Sequence, residues 1–147
     1  MLSSDIEKSM KNDISFMGCY AEDKLPIFFP KKFPKKLIVN TGHSSTSGEH
    51  WIALILQRET CFYFDSFGIE IVDEKVLEFL RKHYEQYTFN SVCIQHYKSE
   101  KCGEFCIAFL KLVNSKNSFE KFINLFSSKS LKTNDKKISN ILKLLKK

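Results

Sequence analysis

The sequence predicts an α+β fold, a central mixed β-sheet with flanking helices. Three observations carry that prediction. Short apolar runs rich in β-branched and aromatic residues recur at 36–40, 50–57 and 61–67, the pattern of buried strands. Apolar residues spaced three and four apart over 73–87, and an apolar stretch over 102–114, read as helices. No repeat or linker divides the 147 residues, a length suited to one domain with one core.

Taken in order, Ser4 and Glu7 fit a capping box ahead of a short helix over 5–12. Residues 18–36 contain the chain's three prolines, which block regular helix, and read as loop-rich. KLIVN (36–40) is a strand ending at Thr41-Gly42, and the polar residues 43–49 form a loop. HWIALILQ (50–57) and CFYFDSF (61–67) are strands joined by a tight turn at Arg58-Glu59-Thr60, and so form a hairpin. Over 73–87, Val76, Phe79, Leu80, His83 and Tyr87 share one helical face. NSVCIQHY (90–97) reads as a short strand, 98–101 as a polar loop, and 102–114 and 118–126 as helices. Residues 134–147 close the chain as an amphipathic helix striped by Ile138, Ile141, Leu142 and Leu145.

Composition narrows the function classes. A hydrophobic fraction of 43% with 14 phenylalanines excludes a disordered tail protein. No apolar run approaches the ~20 residues of a membrane span, and the polar opening MLSSDIEKSMKND does not resemble a secretory signal. A reducing, intracellular setting and five free thiols are therefore expected. The net charge of +6 lies in the segment from Ser127 onward, where Lys129, Lys132, Lys136, Lys137, Lys143, Lys146 and Lys147 face a single acid, Asp135. Residues 1–126 balance 16 basic against 16 acidic groups. Such a lysine-rich end either approaches nucleic acid through counterion release or aids solubility.

The chemistry-bearing residues sit at element ends. Cys102 lies between a polar loop and an apolar helix, where helix dipoles and free N–H groups favour a thiolate. Gly103 leaves room for an incoming carbonyl, while Cys106, one turn further on, reads as a packing residue. His50 opens a strand after a glycine-containing loop, and Asp65 ends the next strand. With the hairpin centred near residue 59, position 65 faces about position 53, and a small stagger brings the carboxylate towards His50. Gln95 precedes the nucleophile loop, from where its amide can complete an oxyanion hole with the Cys102 N–H. A thiolate, a base, a group that orients the base and oxyanion donors are the parts a thiol protease needs. One rival reading uses Cys93, His96, Cys102 and Cys106 as zinc ligands. Their C-x2-H-x5-C-x3-C spacing matches no common zinc site, so no metal is expected.

Phe16-x-Gly18-x-Tyr20, IVNT (38–41), GEHW (48–51), CFYFDSFG (61–68), Gln95 and CGEFCIAFL (102–110) together resemble, in order and spacing, the adenovirus-type cysteine endopeptidases of adenoviruses and Maverick or Polinton elements. The resemblance runs over residues 14–112 and implies a papain-like, adenain-like cysteine protease core, with the protease domain read as residues 1–126. The basic amphipathic tail, 127–147, would pack on that core or extend from it. It maps His50, Asp65, Gln95 and Cys102 onto the family's catalytic set, with Asp65 standing where those enzymes usually have glutamate. It further implies cleavage of virion precursor proteins at Gly-containing sites during virion maturation, in the host nucleus and the virion. By the same resemblance, DNA and a peptide activator assist the enzyme, although the chemistry needs no cofactor. The lysine-rich tail would then meet DNA without sequence preference, in a monomer that avoids membranes. The SUMO-specific and ubiquitin-like isopeptidases share the catalytic order but carry Asp-Cys-Gly where this chain has Lys101-Cys102-Gly103. A non-catalytic nucleic-acid-binding relict is the remaining alternative.

Overall fold

The structure is a computed structural model that describes residues 1–27, 29–42, 50–70 and 73–146. The loop read at 43–49, with Gly48 and Glu49 of the GEHW segment, and Lys147 of the tail lie outside the described residues. The observed architecture is α+β: one five-stranded mixed sheet with helices on both faces. Its strands are β1 (Phe16–Ala21), β2 (Lys35–Asn40), β3 (Trp51–Leu56), β4 (Cys61–Phe64) and β5 (Tyr87–Phe89), lying side by side in that order. The outer pairs β1–β2 and β4–β5 are parallel, and the inner pairs are antiparallel. Among the described residues the α-helices are α1 (Ser3–Met10), α2 (Glu74–His83), α3 (Cys102–Leu112), α4 (Lys116–Asn124) and α5 (Leu131–Leu145), and Glu22–Lys24 form a short 3-10 helix.

The two-residue strand period splits the core in two. Ile38, Ala53, Ile55, Phe62 and Phe64 point to one face, where they pack under α1, α3, α4 and α5. Leu37, Val39, Ile52, Leu54, Leu56, Cys61 and Tyr63 point to the other, where Val76, Phe79 and Leu80 of α2 cover them. The helix-rich face uses the phenylalanines as edge-to-face neighbours: Phe109 stacks on Phe64 at 4.6 Å and meets Phe119 and Phe122 edge-on. Ile138 of α5 is fully buried in this cluster, and Ile141, Leu142 and Leu145 pack against it.

Several elements differ from the sequence reading. α1 starts at Ser3 rather than residue 5, and the side chain that caps it is Asp5, whose carboxylate accepts from the Leu2 N–H at 3.0 Å. The stretch read as irregular opens with β1, whose residues are all half-buried. The helix read over 73–87 stops at His83. Asp73 caps its start through the Lys75 and Val76 N–H groups, both at 3.0 Å. Tyr84 leaves the helix to donate to the Gln57 carbonyl at 2.7 Å, and Tyr87 begins β5 instead of sharing the helical face. No strand forms at 90–97, because the Ile94 and Gln95 N–H groups both turn to the Ser66 carbonyl, at 2.9 and 3.1 Å. No helix of the described residues is long and apolar enough to cross a membrane.

Candidate active site

The β3–β4 hairpin brings a histidine and an aspartate together at one end of the sheet. Its register pairs Ala53 with Phe64, one residue away from the expected pairing of 53 with 65. The His50 carbonyl accepts from the Thr41 N–H at 2.9 Å, which anchors the residue beside β2. Its Nε2 meets Asp65 Oδ1 at 2.7 Å, and the Phe67 ring lies 4.7 Å from the imidazole. Both side chains are largely buried, 16% exposed for His50 and 8% for Asp65. With Nε2 committed to the carboxylate, Nδ1 is the ring nitrogen left to act on the Cys102 thiol, and each of the two groups shifts the other's pKa.

The turn after β4 fixes the aspartate. Asp65 Oδ1 also accepts from the Phe67 N–H at 2.8 Å, and the Gly68 N–H closes the turn on the Asp65 carbonyl at 2.8 Å. Gly68 has φ +67°, and a β-carbon there would sit 2.5 Å from the Val92 carbonyl carbon, so only glycine fits. Asn90, buried at 4% exposure, brackets the aspartate backbone. Its Oδ1 accepts from the Asp65 N–H at 3.1 Å, and its Nδ2 donates to the Asp65 and Val92 carbonyls at 2.7 and 3.1 Å.

Cys102 is the first residue of α3. Burial pushes its thiol up, but hydrogen bonds from His50 and from the Trp51 and Gly103 backbone, with the His50 charge, outweigh burial and hold its pKa below the ordinary thiol value. Burial alone would depress His50. Hydrogen bonds and charge from Asp65 and Cys102 reverse that and raise it to about 9. The other thiols differ in kind: all five cysteines are free, but burial raises Cys19 to about 12 and lifts Cys61 and Cys106 further.

Gln95 is fully buried. Its Nε2 donates to the Ser99 carbonyl at 2.9 Å and lies 3.3 Å from Ser99 Oγ, while its Oε1 accepts from the Ser66 hydroxyl. The carbonyl of Ser99 can only accept, which fixes which end of the amide faces the nucleophile loop. The space left by the missing β-carbon of Gly103 is taken by Met1, whose Sδ would lie 2.9 Å from it. The Trp51 indole N–H donates to the Met1 carbonyl at 3.1 Å.

The remaining candidates for a zinc site are engaged elsewhere. Cys93 Sγ contacts the Gln95 carbonyl at 3.2 Å, His96 Nδ1 accepts from the Lys98 N–H at 3.2 Å, and Cys106 donates to the Trp51 carbonyl at 3.4 Å. Among the described residues, no three His, Cys, Asp or Glu side chains gather into a group that could hold a metal ion. Asn90 and Ser66 tie the site together, and no motif in the sequence marks Asn90. The only signal for Ser66 was its place directly after Asp65.

A thiol of lowered pKa at a helix start, an imidazole beside it and a buried carboxylate behind the imidazole is the arrangement on which thiol hydrolases are built. The chain belongs to the adenovirus endoprotease family, which residues 16–127 match. The protease of Human adenovirus B serotype 3 is 33% identical over 132 residues, covering 71% of this chain and 60% of that protein. The protease of Bovine adenovirus C serotype 10 is 28% identical over 127 residues, covering 71% of this chain and 64% of that protein. The chain thus spans about three-fifths of the length of these relatives. A crystal structure of an ASFV protease is 20% identical with a TM-score of 0.36, covering 57% of this chain and 38% of that one.

Proposed function

We propose that the chain is a cysteine endopeptidase in which Cys102 is the nucleophile, His50 its proton partner, Asp65 the residue that orients His50, and Gln95 an oxyanion donor. The observation that carries this reading is the His50–Asp65 contact of 2.7 Å, with Cys102 at the start of α3, where His50 is among the groups that lower its thiol pKa. The thiolate attacks the scissile carbonyl carbon, and the carbonyl oxygen becomes an oxyanion held by the Cys102 N–H and the Gln95 amide. One Gln95 N–H is kept by the Ser99 carbonyl. The other makes the longer, 3.3 Å bond to Ser99 Oγ, and it is this weaker bond that would be exchanged for one to the oxyanion. His50 gives its proton to the departing amine, leaving a thioester. It then takes a proton from water as the water attacks, and the acid and the thiolate are released. Asp65 holds the imidazole tautomer and stabilises the imidazolium throughout.

Membership of the adenovirus endoprotease family supports protein substrates; the resemblance suggests viral or virus-like precursors cut at Gly-containing sites, with DNA and a peptide as activators. Cleavage of a library of Gly-containing peptides, with and without duplex DNA, tests the reading, alongside ubiquitin-like conjugates. Turnover of the peptides that disappears in Cys102→Ala supports it. Equal turnover by Cys102→Ala, or turnover confined to the conjugates, overturns it.

A further inference from the structure

Asn134 is an amide on α5, 1% exposed, whose hydrogen bonds divide between two places. Two serve its own neighbourhood: Oδ1 accepts from the Ser127 N–H at 3.0 Å, and Nδ2 donates to the Ser127 carbonyl at 2.7 Å. The third crosses forty residues of chain, from Nδ2 to the Ile94 carbonyl at 2.8 Å. Ile94 is fully buried and precedes Gln95 in a segment that belongs to no strand, so its carbonyl has no ladder to join. The same segment is held from the other side by the Ser66 carbonyl, which accepts from both Ile94 and Gln95, and by the Ser66 hydroxyl on Gln95 Oε1. At its far end Lys101 Nζ donates to Ser139 Oγ of α5 at 3.1 Å.

We propose that Asn134 is a positioning residue for Gln95, so that α5, which packs on α3, sets the geometry of the oxyanion hole. The inference rests on the reading of Gln95 as oxyanion donor. A buried carbonyl must keep a donor, so losing Asn134 leaves the Ile94 carbonyl to seek another partner and shifts the peptide that carries Gln95. A displacement of about 1 Å in such a group costs up to about 10²-fold in rate. The Cys102–His50 pair hangs on β3, β4 and the start of α3, and does not depend on this bond.

The test compares two reactions of the full chain. Peptide hydrolysis develops an oxyanion, whereas alkylation of Cys102 by iodoacetamide displaces iodide at a saturated carbon and develops none. Asn134→Leu should lower kcat for a Gly-containing peptide about 10- to 100-fold with KM nearly unchanged. The alkylation rate and its pH profile should stay within about twofold of the parent. In the Asn134→Leu, Gln95→Ala double variant, hydrolysis should be no slower than in Gln95→Ala alone, because Asn134 acts only through Gln95. Where thermal melting shows the leucine variant unfolded, Asn134→Ser carries the same comparison with a polar atom kept and room for a bridging water. Unchanged kcat, additive losses in the double variant, or a parallel loss of alkylation overturns the proposal. Parent protein whose hydrolysis does not depend on Cys102 overturns the active-site reading itself, and is distinguished by the Cys102→Ala control.

Discussion

The settings of His50 and Cys102 move their pKa values in opposite directions, His50 upward and Cys102 downward. The partners of His50 raise it to about 9 against its burial, and those of Cys102 lower the thiol against its own burial, so each member favours the charged form of the other. The sign of each pH effect follows. The His50 contribution to stability is complete below the ordinary histidine value of about 6.5 and is lost as pH rises through about 9. The Cys102 contribution is present above the ordinary thiol value and is lost as pH falls through its lowered one. Iodoacetamide labelling of Cys102 should therefore begin below the pH at which a free thiol reacts, and peptide cleavage should fall as pH passes about 9. Labelling that tracks an ordinary thiol would mean that His50 does not lower the Cys102 thiol. Asp65→Asn should slow cleavage less than His50→Ala, since the carboxylate never transfers the proton; replacing His50 should cost about 10²–10⁴, and initial rates on one peptide rank the two. Gln95→Ala should lower kcat by about 10²–10³, and Gln95→Glu should be worse because it sets an anion beside a developing one. The sequence made His50, Asp65, Gln95 and Cys102 visible because each stands at the end of a recognisable run. Asn90 and Ser66 were invisible because a buried loop amide and a turn serine look, in sequence, like any surface turn former.

At the scale of elements, the site depends on one turn. Residues 65–68 must reverse the chain while presenting the aspartate to His50, and Gly68 does this at φ +67° against the Val92 backbone. Gly68→Ala should cost several kcal/mol or prevent folding, since a β-carbon 2.5 Å from a backbone carbon cannot be absorbed by a rotamer change. Urea unfolding of the two proteins measures it, and a difference under about 1 kcal/mol would mean that the turn relaxes freely. Asn90→Ala strips partners from the buried Asp65 N–H and carbonyl and should cost about 1–3 kcal/mol in the same assay. The central strands were legible because both their faces are buried, leaving continuous apolar runs. β1 was not, since it is a half-buried edge strand ahead of a proline-rich segment. The three residues of β5 were absorbed into a helical pattern, because Tyr87 falls in phase with Leu80 and His83 and nothing local marks the break at Tyr84.

At the scale of the whole chain, charge and packing divide along α5. Its inward stripe is Asn134, Ile138, Ile141, Leu142 and Leu145, which seat it on the core. Lys132, Lys136, Lys137, Lys143 and Lys146 stand exposed on its other sides, and Lys132, Lys136 and Lys137 share one shallow depression with Thr133 and Asn140. Because residues 1–126 are neutral overall, the chain's net positive charge lies on this last segment. Deleting the helix would uncover Ile138 and release the Ile94 carbonyl, so charge must be removed without removing the element. We expect the full chain to bind duplex DNA with little sequence preference, since lysines on phosphates read no base edges. About five phosphate contacts set the slope of log affinity against log salt near −4 to −5. Replacing Lys132, Lys136 and Lys137 with glutamine should reduce that slope by about 2 to 3 while leaving the melting temperature and DNA-free peptide cleavage unchanged, because all three side chains are exposed. Fluorescence anisotropy over a salt series measures the slope. An unchanged slope in the triple variant, or no binding by the parent at low salt, would assign the lysines to solubility alone.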